Sequence, residues 1–199
     1  MNSPIEQFRK NMERVRALGG LYQAFGQLTT PAVDLTDLLR AQIVLAVSAM
    51  DLYIHEITRI GMLEGYDGKR PQTNAFSRFQ IAMDAVVEAI ARPGRNEWLE
   101  AEIREKHGYQ AFQHPDKIAD AVRLFSLCEL WPSVAAKLNL TVQEVKAQLL
   151  AIVNRRNQIA HEADLMPNDP TTRWSISDAD AEEAVNFIEE VCEAIDVVV

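Results

Sequence analysis

The stretch IVLAVSAMDLYI, from Ile43 to Ile54, is apolar nearly all the way round when wound into a helix. Such a helix cannot sit on a surface, because it has no polar face to turn toward water. It must be the centre of a packed body, with other elements on every side. The run belongs to a predicted helix of about 35–63, and its polar exceptions are Ser48, Asp51 and Tyr53. Arg40 and Gln42 bound it and Asp51 interrupts it, so it falls short of a bilayer span.

The rest of the chain supplies helices to surround it. "NSPIEQ" puts Ser3 at an N-cap, Pro4 at the first helical position and Glu6 at the capping-box position. A helix then runs to about Phe25, with Ile5, Phe8, Met12, Val15 and Leu18 on one face and Gly19-Gly20 weakening its second half. Pro31 stops continuation, and Asp34 and Asp37 stand where the central helix begins. After a turn-rich loop from Glu64, helices are predicted at about 74–91, 96–107 and 116–130, with a short one opened by Pro132. Thr141 and Glu144 form a second capping box, and the helix that follows reaches about Ala163. "LMPNDPTTRW" reads as a loop because Pro167 and Pro170 forbid helix. Ser177 caps a last helix whose stripe is Ala181, Ala184, Val185, Ile188, Val191, Cys192 and Ile195. No internal repeat, linker or convincing strand emerges. The expectation is one all-α helical bundle over residues 1–199, with short extra helices.

Charge and cysteines narrow the setting. The net charge of −9 argues against a protein that coats nucleic acid nonspecifically. The acidity is local: residues 178–199 hold eight acids and no Lys or Arg, and the rest of the chain is close to neutral. That acidic helix is a solvated face or a surface for a basic partner, with Glu189, Glu190 and Glu193 as the residues to test. Cys128 and Cys192, both on predicted helical faces, read as reduced core residues, and the N-terminus shows no signal peptide. A cytoplasmic protein with no membrane segment is expected.

The helix from Val142 carries the chemical signal. Its apolar positions 142, 145, 149 and 152 continue at 156, 159 and 163, so Arg156 occupies a seam position. Asn157 and His161 are one turn apart, on the ridge that continues Leu149 and Val153. A desolvated guanidinium needs a carboxylate, a second subunit or a phosphate. The bland reading is that Arg156 reaches past the core to solvent and His161 favours the helix end. The chemical reading is cleavage of a phosphodiester without a metal. Arg would hold phosphate, His would move protons near neutral pH and Asn would orient them. Arg156 and His161 lie about 140° apart around an ideal helix, so one helix is an incomplete site. A twofold homodimer would bring two sets together.

"RNQIAH", Arg156 to His161, resembles the Arg-x4-6-His motif of the HEPN superfamily in its form with Asn after the Arg. "VSAMDLYIHEI", from Val47, is similar to the buried second helix of the RiboL-PSP-HEPN branch, with an acid two residues before an aromatic. "LAIVNRRNQIAHEADL", the Pro-rich loop, Arg173-Trp174 and the last helix resemble that branch too. The resemblance covers about 35–195, is clearest at about 35–63 and 116–195, and is least distinctive at 64–115. It implies an all-α dimer whose paired motifs form a metal-independent endoribonuclease site, leaving 2′,3′-cyclic phosphate ends on RNA. Roles in toxin–antitoxin or other defence systems follow, with an antitoxin or regulatory protein as a partner. Carried over, Arg156, Asn157 and His161 are the catalytic set. Asp51 matches the helix-two acid that orients or pairs with the motif Arg. Arg155 offers a second register, and Arg156 is preferred because it continues the seam.

Other signals fall away. "HEITR", His55 to Arg59, begins like a zincin helix but lacks the second His. His107 and His114 have no nearby cluster to complete a metal site. There is no P-loop, GxGxxG or nucleophile motif, so neither cofactor nor metal is expected. Lys69 and Arg70 make the loop after Glu64 basic and able to touch an RNA backbone, although solvated surface explains them as well. Asp51 and Ser48 fit plain core polar groups as readily as functional ones, and Tyr53 fits a core aromatic with its hydroxyl at an edge. Two rivals to the enzyme remain: a non-catalytic HEPN-like module that binds RNA, a nucleotide or a protein partner, and a structural bundle in which Arg156 and Asp51 form a buried ion pair.

Overall fold

The structure, a computed structural model, describes residues 3–30 and 32–199. Pro31, expected to stop the first helix, lies outside the described residues. The helices in chain order are α1 (Pro4–Leu28), α2 (Thr36–Tyr66), α3 (Met83–Ala91), α4 (Glu97–His107), α5 (Pro115–Arg123), α6 (Leu130–Leu138), α7 (Val142–Glu162) and α8 (Asp178–Val198). An antiparallel hairpin, β1 (Leu165–Met166) and β2 (Asp169–Arg173), joins α7 to α8. The fold is all-α, as the helix signals predict.

α2 is the axis. It packs chiefly against α1, α7 and α8 and less extensively against α4 and α5. Met50, Tyr53 and Ile54 of α2 meet Phe8 and Met12 of α1, Leu149 of α7, and Ile188 and Ile195 of α8 in one apolar core. By length and composition α2 could cross a bilayer, but 56% of its most apolar window is packed inside the protein, so its hydropathy serves the core. Three capping boxes start the helices that flank it: Ser3 with Glu6, Thr141 with Glu144, and Ser177 with Asp180. Each satisfies two amide groups that an isolated helix end leaves bare. At the head of α2, Asp34 accepts bonds from the Thr36 amide at 2.9 Å and the Thr36 hydroxyl at 2.6 Å.

The structure departs from the sequence expectations where tertiary bonds override local pattern. The helix expected at 74–91 is a 3₁₀ turn at Phe76–Arg78, an extended step, and then α3. The buried Glu102 carboxylate takes the Ala82 amide at 2.8 Å, a bond that holds the step open. The helix expected at 116–130 stops at Arg123, because the chain turns to lay Phe125 against Gly61 of α2. A methyl group at Gly61 would overlap that ring, so only glycine permits the approach. Cys128 therefore lies in an irregular segment, half-buried, whereas Cys192 is buried on α8; both thiols are free. Ser48 is exposed and bonds back to the Val44 carbonyl at 2.9 Å, so it is no core polar group. The loop read without strands contains the β1–β2 hairpin. Its prolines exclude helix but tolerate an edge strand, and Asp169 ties the turn by accepting the Thr171 and Thr172 hydroxyls at 2.6 Å each.

Candidate functional site

Residues 154–161 run through the last two turns of α7, but adjacent residues face different surroundings, since each step turns the side chain by about 100°. Arg155 points into a closed polar knot. Its guanidinium donates to both oxygens of Asp164, one at 2.9 Å, and to the Ser175 carbonyl at 3.2 Å. Asp164 is fully buried and also receives Arg40 Nε at 2.6 Å. Arg40, itself buried, donates onward to the Thr36 hydroxyl at 2.5 Å and the Trp174 carbonyl at 2.8 Å. The Trp174 amide closes the ring by donating to the Asp164 carbonyl at 2.8 Å. One carboxylate thus sits between two guanidinium groups, in charge-assisted bonds that hold both ends of the hairpin to α2 and α7.

The backbone makes this possible. Ala163 and Asp164 both lie in the left-handed region, at φ 52° and 61°. That conformation is uncommon for residues other than glycine. It ends α7 abruptly and turns Asp164 back beneath Arg155, so the ion pairs repay the strain of the turn.

Arg156 faces elsewhere. It is half-buried, like its neighbours Arg155, Asn157 and Gln158, and no carboxylate pairs with it among the described residues. Its Nη1 donates to Asn157 Oδ1 at 2.9 Å, and its Nε is buried without an acceptor. Asn157 is half-buried and His161, one turn on, is exposed. Asn157 is held by Arg156 and stands one turn before His161, whereas Arg156 and His161 are about 140° apart around α7.

Asp51 is not brought to the motif arginines. Its carboxylate accepts the Phe112 amide at 2.6 Å and the Gln113 side chain at 3.2 Å, with His55 at 3.8 Å. It pins the segment between α4 and α5 to α2. This corrects both the expectation that Asp51 pairs with the motif arginine and the reading of a buried Arg156–Asp51 ion pair. The acid that meets an arginine of the motif region is Asp164, and it meets Arg155.

Asp164 and Arg40 carry this region and were not singled out from the sequence. A signal existed. Arg40 adjoins the apolar run of α2, and Arg155 stands beside a seam, so both needed a carboxylate, and Asp164 follows directly on the end of α7.

The remaining candidates take other roles. Arg70 donates to Glu64 at 3.2 Å and to the Val199 carbonyl oxygen at 2.6 Å, and lies over the Phe125 ring; Lys69 pairs with Asp67. The cations of that loop are thus bound within the chain. Tyr53 donates to Asp196 at 3.0 Å from the core, and burial first, then Asp196, raises its pKa. His114 accepts the Asp116 amide at 3.2 Å as the cap of α5. His107 is buried with Nδ1 unpartnered; burial, and secondarily His55, lower its pKa to about 4.

Comparison with known proteins gives one match. The RiboL-PSP-HEPN family model matches residues 10–199. No curated protein and no solved structure matches the chain.

Proposed function

The chain belongs to the RiboL-PSP-HEPN family, and on that premise we propose that it is a metal-independent endoribonuclease whose site forms between two copies of the Arg156–His161 face. The observation that carries the reading is Arg156: a half-buried guanidinium with no carboxylate partner among the described residues, bonded to Asn157, which stands one turn before the exposed His161. A desolvated cation without a counter-charge is costly. A scissile phosphate at that position would supply the missing anion. Arg155, already bonded to both oxygens of Asp164, has a carboxylate partner, and this favours Arg156 as the catalytic arginine.

The chemistry follows from the groups. The ribose 2′-hydroxyl attacks the adjacent phosphorus while a base removes its proton. The P–O5′ bond breaks, and an acid gives the leaving oxygen a proton. The products are a 2′,3′-cyclic phosphate and a free 5′-hydroxyl. His161 from the two copies would serve as base and acid, and Arg156 would hold the charge that builds on the equatorial oxygens. Asn157, bonded to Arg156, orients the guanidinium. A dimer is also supported by Leu45 and Leu52, apolar α2 side chains about half exposed, Leu45 in a hollow it shares with Ile159 and Ala163 of α7. The proposed setting is the cytoplasm, in a toxin–antitoxin or defence role; free cysteines at 128 and 192 suit a reducing compartment.

One observation favours a second reading. The net charge is −9 and the loop cations are bound within the chain, which weakens RNA capture by this protein alone. A non-catalytic module using the same face for a nucleotide or a protein would tolerate that charge. Digestion of end-labelled RNA in EDTA separates the two. Cleavage to 2′,3′-cyclic phosphate by the wild type, lost in Arg156→Ala and His161→Ala, is the expected result. A folded dimer that cleaves none of several RNAs would favour the binding module.

A further inference from the structure

The acids of α8 sort by face. Glu193 and Glu189 point toward α1, where Arg9 and Arg16 bind them, and Asp196 takes the Tyr53 hydroxyl. This redirects the sequence expectation that named Glu189, Glu190 and Glu193 as a partner surface, since two of the three are already paired. Glu183 and Glu190 lie about a quarter turn further round α8, and Glu182 stands at the edge between the two faces. All three are exposed, and no ion pair or hydrogen bond engages their side chains among the described residues.

Those three acids border a groove. A cleft of about 620 Å³ lies between α7 and α8, with Ile43, Ile152 and Ala184 among its apolar lining and the Trp174–Ile176 segment as one wall. A second hollow of about 340 Å³ shares Gln148 and Glu183 with it and extends along α8 past Phe187 to Glu190. Arg155 is the cation in the lining, held by the Asp164 carboxylate that it shares with Arg40, and against it stand Asp180, Glu182, Glu183 and Glu190. The groove is therefore apolar inside and negative at its rim.

We infer that this groove docks a basic, amphipathic segment of a partner protein. Its apolar side chains would lie on Ile152, Ala184 and Trp174, and its Lys or Arg side chains would meet Glu182, Glu183 and Glu190. Charge complementarity selects this occupant. Nucleic acid would bring phosphates against the acidic rim. A second copy docked about a twofold axis through the groove would set the same acids against themselves. The site lies on the Arg155 side of α7, apart from Arg156 and His161, and the inference stands whether or not the protein cleaves RNA.

The test uses the whole chain and a fluorescein-labelled amphipathic helical peptide of leucine and lysine, followed by anisotropy. Trp98 and Trp131 are buried and Trp174 is 39% exposed, so a blue shift of tryptophan emission on binding would report Trp174. The triple variant Glu182→Lys, Glu183→Lys, Glu190→Lys should bind about tenfold or more weaker, and Ala151→Trp, which fills the cleft, should weaken binding similarly. Trp174→Phe should keep binding and lose the emission shift. A control triple reversal at exposed Glu13, Glu88 and Glu105 should bind like the wild type, with circular dichroism melts confirming that every variant folds. The inference is overturned if the wild type does not bind the peptide, if both triple reversals weaken binding equally, or if Ala151→Trp binds unchanged. It is also overturned if sedimentation shows that the groove reversal changes self-association, which would make a second copy the occupant.

Discussion

Arg155 and Arg156 are neighbours in sequence and opposites in surroundings. Arg155 shares the buried Asp164 with Arg40, and every partner in that knot is accounted for. Arg156 is half-buried with one bond to an amide and a buried Nε that reaches no acceptor. The contrast teaches that the position of a charge on a helix says little about its role until its counter-charge is found. A paired buried arginine holds the fold together. An unpaired one is maintained at a cost, and the cost calls for a ligand.

The largest expected effect tests the paired side. Asp164→Ala removes the carboxylate that both guanidinium groups share, leaving Arg155 unpaired and Arg40 with only Asp37 at 3.7 Å, and should cost about 3–5 kcal/mol, read as a fall in the urea midpoint. A loss under about 1 kcal/mol would break the comparison and return Arg155 to candidacy. The unpaired side should answer in the opposite currency. On the proposed nuclease reading, Arg156→Ala should lower RNA cleavage by about 10²–10³-fold, the effect of removing a donor to a developing oxyanion, yet change stability by less than about 1 kcal/mol. A variant that unfolds while retaining its cleavage per folded molecule would reverse the two assignments.

His107 sharpens the comparison, because it is also buried and unpartnered but stands apart from the motif. Its pKa is lowered to about 4, mainly by burial. The unfolded chain then binds the extra proton more readily than the folded one. Stability from this group is complete above about pH 6.5 and is lost as pH falls toward 4. The loss amounts to roughly 3 kcal/mol at its limit, and His107→Leu should remove that part of the acid-side slope without affecting cleavage. A slope that persists in the variant would assign it to other groups. The smallest effect concerns Arg9 and Glu193, an ion pair of good geometry that lies at the surface. Glu193→Gln should leave the urea midpoint essentially unmoved, because solvent screens exposed pairs. A marked fall would show that burial is not what separates the knot from other pairs.

Much of the fold was legible in local pattern. The all-round apolar run placed α2 at the centre, two capping boxes marked α1 and α7, and the stripe from Ala181 to Ile195 described the buried face of α8. The misreadings have a common origin. The broken helix after Asn74 depends on Glu102, the early stop of α5 depends on Phe125 reaching Gly61, and the hairpin after α7 depends on a chain reversal at Ala163 and Asp164. Each needs a contact or a backbone state that periodicity does not encode. The site divides the same way. Arg156 lacks the partner assigned to it, because Asp51 is taken up by Phe112 and Gln113.

What the sequence determined alone, then, was the all-α class, the centrality of α2 and the helix on which Arg156, Asn157 and His161 stand. These follow from interactions between residues a few positions apart, which a helical repeat makes regular. Only the tertiary structure decided which arginine has a counter-charge and which acids of α8 remain free. Arg40 meets Asp164 across 124 positions and Arg9 meets Glu193 across 184. A side chain of either sign looks alike in sequence whether or not the folded chain brings its opposite within reach, and that meeting is set by the packing of the whole.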